Sequence, residues 1–234
     1  MISTAEVKLL AESLGADFFG VADLSPVQGL KESAGYPRAV SIGLRLPHTV
    51  VDQLPQRDRL STAKIYKHHA YDMVNQRLDH IVSRICSFLE SRGHRSFPVP
   101  ASQIIDEDKL TGVFSNKMAA RLAGLGWIGK SCLLVTPEVG PRARWATVLT
   151  RAPLEKTGEP MEDRCGTCTE CVDVCPVGAF TGRPFREDED RDLRFDVHKC
   201  NRYFSTLRDK MGLAVCGMCL FICPHGKRAS AGLE

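Results

Sequence analysis

The placement of cysteine constrains this chain more than any other feature. It has ten cysteines, but only Cys86 and Cys132 precede residue 160, and the rest crowd between Cys165 and Cys223. A disulfide framework spreads its staples over a fold, whereas a cofactor needs its ligands gathered. The first group reads Cys165-x2-Cys168-x2-Cys171-x3-Cys175-Pro176, the run found in bacterial two-cluster ferredoxins. The second is Cys200 followed by Cys216-x2-Cys219-x3-Cys223-Pro224, the same pattern with a longer insertion after its first member. In such pairs three thiolates of one run wrap a cubane, and the fourth ligates the other cluster. Cys165, Cys168, Cys171 and Cys223 are thereby assigned to a first [4Fe–4S] cluster. Cys175, Cys200, Cys216 and Cys219 are assigned to a second. Zinc is the competing reading, but zinc sites use Cys-x2-Cys pairs spaced for a tetrahedron, not a triple followed by x3-Cys-Pro. The implied chemistry is the movement of single electrons.

Composition bounds the remainder. Hydrophobic residues make up 43% and charged residues 25% of 234 residues, which is ordinary for a globular chain of one body or two small ones. A formal net charge of +3 is too weak to argue for nucleic acid or an anionic membrane surface. No stretch approaches the ~18 apolar residues of a membrane helix. The start, Met1-Ile2-Ser3-Thr4-Ala5-Glu6, lacks the basic and apolar regions of a signal peptide. A cytoplasmic protein with no membrane partner is expected.

Local patterns give a mixed α/β domain ahead of the cysteines. Ser3 and Glu6 fit a capping box that opens a helix with Val7, Leu9, Leu10 and Leu14 as its apolar face, stopped by Gly15. Phe18 to Val21 and Pro37 to Leu44 read as strands. The stretch from about Thr62 to Arg92 has the longest helical period, carried by Val74, Leu78, Ile81, Val82, Ile85, Phe88 and Leu89, and Gly93 ends it. Cys86 within it reads as a small buried hydrophobe. Phe97 to Pro100 is extended, and a helix is expected over Phe114 to Leu122. Cys132 to Val135 and Trp145 to Leu149 read as strands joined through Gly140-Pro141. The polar run Glu155 to Arg164 reads as a linker, and Arg186 to Arg194 as a solvated loop. The expected division is 1–158 for an α/β cofactor-binding domain and 159–234 for a ferredoxin-like domain.

A glycine-rich turn is the second unusual segment. Gly124, Gly126 and Gly129 allow tight turning, and Lys130 offers a cation to an anionic cofactor tail, with a structural turn as the alternative. The dinucleotide fingerprint does not apply, because no strand leads into Gly126-x2-Gly129.

Ala123-Gly124-Leu125-Gly126-Trp127-Ile128-Gly129-Lys130 followed by two ferredoxin runs resembles the epoxyqueuosine reductase family, which is related to the reductive dehalogenases. The resemblance is clearest from about Phe114 to Pro224. It implies an N-terminal nitroreductase-like α/β domain holding cobalamin (a flavin being the alternative) and fed by two [4Fe–4S] clusters. It also implies a reduced ferredoxin or flavodoxin as electron donor. The turn residues Gly124, Leu125, Gly126, Trp127, Ile128, Gly129 and Lys130 are the cofactor-binding candidates. Where the family carries an acidic proton donor this chain has Leu110-Thr111, so Asp108 is the candidate catalytic acid. The family member that acts on tRNA has a helical-repeat region after its clusters, whereas this chain ends eleven residues after Cys223. A small molecule or a partner protein's cofactor is therefore the expected acceptor, a pure electron carrier or activator is the alternative, and nucleic acid is not expected.

Arg142 and Arg144 read as a solvated hairpin tip, with carboxylate or phosphate binding as the alternative. Cys132 reads as a buried strand residue, the alternative being a reactive thiol. His198 and His225 flank cluster cysteines and are candidates to hydrogen-bond to cluster sulfur.

Overall fold

A capping box does open the first helix. In the structure, a computed structural model describing residues 2–25 and 35–233, Ser3 accepts from the Glu6 amide and the Glu6 carboxylate accepts from the Ser3 amide. The chain then runs through α1 (Thr4–Ser13), β1 (Phe18–Asp23), β2 (Arg38–Arg45), α2 (His48–Val51) and α3 (Leu60–Lys67). A π-helical turn, His68–Met73, leads into α4 (Val74–Ser91), β3 (Ser96–Val99) and α5 (Asn116–Leu122). Next come β4 (Trp127–Ile128), β5 (Leu134–Val135) and β6 (Ala143–Thr150), then α6 (Glu170–Asp173), α7 (Val197–Met211), α8 (Met218–Phe221) and α9 (Pro224–Ala231).

Two compact units emerge, and both are discontinuous in sequence. One comprises 1–45, 74–126 and 144–161; the other comprises 46–73, 127–143 and 162–234. Segments 46–73 and 127–143 thus group with the cysteine-rich region, although they precede the linker near residue 158 at which the sequence suggests a division.

In the first unit a four-stranded sheet has the order β1-β2-β6-β3. β1 pairs antiparallel with β2, with Phe18 opposite Gly43, Gly20 opposite Ser41 and Ala22 opposite Ala39. The last two pairs put small side chains on one face, and the end of α5 closes on it. A Cβ on Gly20 would lie 2.9 Å from the Ala123 Cβ. The other face carries Phe19, Val21, Val40, Ile42 and Leu44, against which α1 and α4 pack. Every residue from Ala39 to Leu44 is buried, as expected of a strand covered on both faces.

α4 buries Val74, Leu78, Ile81, Val82, Ile85, Cys86 and Leu89, close to the periodic set. Phe88 instead lies at the margin, under the Arg92 guanidinium at 4.7 Å. Gly93, at φ +84°, ends the helix. Burial pushes the Cys86 thiol up to about 11, so it behaves as an inert hydrophobe. On α1 the inward residues are Val7 and Ala11, and Leu9 is 66% exposed. With 100° between residues, Leu9 faces away from the stripe that Val7 and Ala11 define.

The second unit is irregular. β4 and β5 form a two-stranded antiparallel pair, Trp127 opposite Val135 and Ile128 opposite Leu134. Cys132 is buried, but its φ of +55° puts it in the turn before β5, not in a strand. Among the described residues no helix is long and apolar enough to cross a membrane.

Candidate functional site

The cysteine loops build the site in the second unit. Cys165 and Cys168 lie on a tight turn closed by the Cys168 amide on the Cys165 carbonyl, at 3.0 Å. Gly166 at its apex adopts φ +51°. Cys171 follows on α6, one turn further on. The later cysteines start short helices: Cys219 lies on α8, and Cys223 is the N-cap residue of α9, with Pro224 at its first position. Proline there lacks only an N–H that the helix could not have used. Cys200 sits on α7, which Asp196 caps by accepting from the Lys199 amide.

The thiols lie close enough to act on one another as charges. Cys171 feels Cys165, Cys223 and Cys168 as charged neighbours. Cys200 feels Cys216 and Cys175, and Cys219 feels Cys216, Cys200, Cys171 and Cys175. Burial raises Cys171, Cys200 and Cys219, and repulsion from neighbouring thiols adds to it. Cys171 is pushed up to about 12 and Cys200 to about 11. Crowded thiols with raised values are poor thiolates by themselves and call for a cation that compensates their charge. No three His, Cys, Asp or Glu among the described residues close around one metal ion. All-sulfur donors at the x2, x2, x3 and Pro spacings fit cubanes better than a tetrahedral zinc.

Hydrogen bonds prepare the sulfurs for negative charge. Burial raises Cys223, and the nearby backbone N–H groups of His225 and Gly226 oppose it. The Ala179 amide donates to the Cys175 sulfur at 3.3 Å. Burial likewise raises Cys165, opposed by the Lys130 amide and the Trp127 indole N–H. The indole nitrogen is buried and makes no full hydrogen bond, so its action on Cys165 is that of a nearby dipole. His225 serves Cys223 through its backbone. Its ring stacks edge-on against Trp127 at 4.9 Å and bonds to Arg228 at 2.9 Å.

The glycine turn divides between the two units. Gly124, at φ +78°, is packed so that a Cβ would lie 3.0 Å from Gly158 Cα and the Glu159 carbonyl. Leu125 lies over Gly20, and Gly126 is buried. Trp127 and Ile128 form β4. A Cβ on Gly129 would come within 3.0 Å of Val135 and 3.3 Å of the Cys165 sulfur. The Lys130 ammonium, read from sequence as a candidate for an anionic tail, donates instead to the carbonyls of Gly166 and Cys168, at 2.7 and 3.0 Å. It is only 9% exposed. Lys130 thus clamps the loop that presents Cys165 and Cys168. Lys130→Met is expected to destabilise the chain by about 2–3 kcal/mol, because two carbonyls of the cysteine loop lose a charged donor that is itself buried. Denaturant unfolding of the wild type and the variant measures this.

Asp108 is exposed in the loop before α5. Asp106 organises that loop. It exchanges backbone hydrogen bonds with Thr111 and accepts from the Lys109 amide at 2.8 Å. Leu110 takes φ +50° to close the turn.

Several residues near the sulfurs carry no local signal of that role. Arg57, between α2 and α3, donates to the Cys216 sulfur and lowers its value against the burial that raises it. Gly217, at φ +67°, is packed against Leu54 and Tyr66 so closely that a Cβ would lie 2.8 Å from Leu54 Cδ1. Arg142 is the largest departure from the solvated tip expected of it. It is fully buried, donating to Asp52 at 2.7 Å and to His48 Nδ1 at 3.0 Å. Partial burial raises the Asp52 carboxyl, but hydrogen bonds from Arg142 and Ser230 outweigh it and hold the group below the usual 3.8. A carboxylate lowered on folding stabilises the protein above its unfolded value, and that gain is lost as pH falls through the folded value. Below about pH 4, Asp52→Asn is therefore expected to lose less stability with falling pH than the wild type. Acid titration of both, followed by circular dichroism, measures it.

Comparison with known proteins follows the same lines. Residues 164–226 match the family described as "4Fe-4S double cluster binding domain". Epoxyqueuosine reductase of Bacillus anthracis is 34% identical over 119 residues, covering 50% of this chain and 31% of that protein. The Bacillus subtilis (strain 168) epoxyqueuosine reductase is 28% identical over 252 residues, covering 93% and 62%. The chain thus spans about a third to two thirds of the length of these relatives. A reductive dehalogenase studied for B12-dependent dehalogenation superposes with a TM-score of 0.69 at 21% identity, over 96% of this chain and 33% of that one. An epoxyqueuosine reductase with a tRNA-Tyr epoxyqueuosine-modified stem loop superposes with a TM-score of 0.62 at 22% identity, over 95% and 65%. The fold is shared with both. The chain is thus similar in sequence to the epoxyqueuosine reductases and carries a double-cluster binding domain, and it shares its fold with them and with a reductive dehalogenase.

Proposed function

We propose that this iron–sulfur oxidoreductase relays single electrons through two [4Fe–4S] clusters to an acceptor cofactor at the α/β unit, where a substrate is reduced. The observation that carries this reading is that Cys223 stands among the charged neighbours of Cys171, and Cys175 among those of Cys200. That arrangement supports two clusters set close enough for electrons to pass between them. The ligand sets are those assigned above, with Arg57, Lys130 and the 225–226 amides holding the loops and moderating the charge on sulfur.

The first unit has the chemistry to hold an organic cofactor. Ser41 Oγ, Thr147 Oγ1 and Trp145 Nε1 are buried with no hydrogen-bond partner. Trp145 packs on Gly43, and alternation along the strands puts Ser41 and Thr147 on the same sheet face. Three unsatisfied buried polar atoms on one face are costly unless something pairs with them. A corrinoid, with a flavin as the alternative, would supply low-potential reductive chemistry there.

The relatives' names alter the choice of substrate. Nucleic acid was not expected from a net charge of +3, yet the curated relatives are named epoxyqueuosine reductases, and one related structure holds a tRNA stem loop. Epoxyqueuosine in tRNA is therefore the first substrate to test, ahead of a small molecule. The donor would be a reduced ferredoxin or flavodoxin, and protonation of the departing oxygen would fall to an exposed acid such as Asp108. Anaerobically reduced protein, with and without added cobalamin, is incubated with epoxyqueuosine-containing tRNA. Multiple turnovers to queuosine establish the substrate, and dependence on cobalamin establishes the cofactor. No turnover, with two clusters present and no extractable corrinoid or flavin, would leave the electron-carrier reading in place.

A further inference from the structure

We propose that Arg142 is a positioning residue for the first cluster: a buried cation that fixes the turn beside Cys223 and biases that cluster toward its reduced form. The inference rests on the two-cluster reading above. Burying an ion pair seldom stabilises a fold more than apolar residues of similar volume would, so the position of this charge is the feature to explain.

Its three nitrogens are differently occupied. Nη2 donates to Asp52 and Nη1 to His48 Nδ1, while Asp52 also accepts from the Ser230 hydroxyl on α9. Nε is buried and has no partner. It lies directly under Gly226, where a Cβ would come 2.8 Å from Nε and 3.2 Å from Cγ and Cδ. Only glycine lets the guanidinium approach that backbone. Gly140 presses on the same turn, since a Cβ there would lie 2.3 Å from the Gly226 nitrogen. The turn so held opens α9, whose N-cap residue is Cys223.

Charge and hydrogen bonding then act together. One-electron reduction makes the cluster with its four thiolates more negative by one charge, with no bond made or broken, and N–H donors and nearby positive charge favour that state. The Asp52 side chain is 39% exposed and that of Arg142 is 0% exposed. Solvent therefore screens the carboxylate more than the guanidinium, and the pair presents a net positive field to the interior.

The test is a dithionite titration of the full chain, followed by electron paramagnetic resonance. The wild type, Arg142→Gln and Arg142→Lys are each compared with the same variant carrying Cys175→Ala, which isolates the first cluster. Arg142→Gln is expected to move the first cluster to lower potential and leave the second in place, with partial recovery in Arg142→Lys. An unchanged gap between the two midpoints, or an equal shift of both, would overturn the proposal. If Arg142→Gln does not load the first cluster, Arg142→Lys decides: a displaced first midpoint upholds the proposal and a wild-type one overturns it. A wild type with fewer than two clusters would overturn the cluster reading and this inference with it.

Discussion

Cys175→Ala is expected to lower the iron content from about eight to about four per chain and to remove the second cluster, not the one formed by its sequence neighbours. Two four-iron clusters with four thiolates each set those counts. Cys175 stands four residues after Cys171, and a reading by proximity in sequence would put both on one cluster. The assignment proposed above separates them, and it is consistent with Cys223 standing among the charged neighbours of Cys171 and Cys175 among those of Cys200. Electron paramagnetic resonance of the reduced variant measures the outcome. A surviving signal with the properties of the second cluster, and loss of the first, would reverse the assignment.

Gly140→Ala is expected to be the most damaging change that leaves every ligand in place, costing upward of about 4 kcal/mol, at the far end of single substitutions. Two effects combine. Gly140 has φ +59°, where an L side chain costs about 1–2 kcal/mol. The added Cβ would also lie 2.3 Å from the Gly226 nitrogen and 2.8 Å from the His225 carbonyl carbon. Both are backbone atoms at the start of α9, so no rotamer change relieves the contact, and relief requires moving the helix start that carries Cys223. The control is Gly212→Ala, at φ +71° with nothing within 4 Å, which should cost only the backbone strain. Denaturant unfolding of the cluster-free proteins gives both values, and iron content after reconstitution reports on the first cluster. Equal losses at the two glycines would show that the close packing on α9 carries no weight.

The elements read from local pattern mostly stand where the residues put them. The Ser3–Glu6 box, the stripe of α4, the strand through Val40 and Ile42 and the Gly93 stop each depend on residues within a turn or two of one another. The misreadings share one cause. Leu9 was grouped by hydrophobicity although its angle turns it outward. Cys132 sits in a left-handed turn that no neighbouring residue announces. Arg142, beside Gly140-Pro141, looks like a solvated tip until Asp52, ninety residues earlier, supplies its carboxylate.

By itself the sequence determined the chemistry of the metal site. The x2, x2, x3 and Pro spacings are local, and cubane ligation by thiolates constrains them so tightly that few other chemistries suit them. Tertiary structure alone decided what surrounds those thiols. Lys130 reaches Gly166 across 36 positions, and Ser230 reaches Asp52 across 178. Segments 46–73 and 127–143 join the cysteine unit across the linker. Such pairings are set by how buried surfaces and buried charges find partners across the whole chain, and no local period or spacing encodes them.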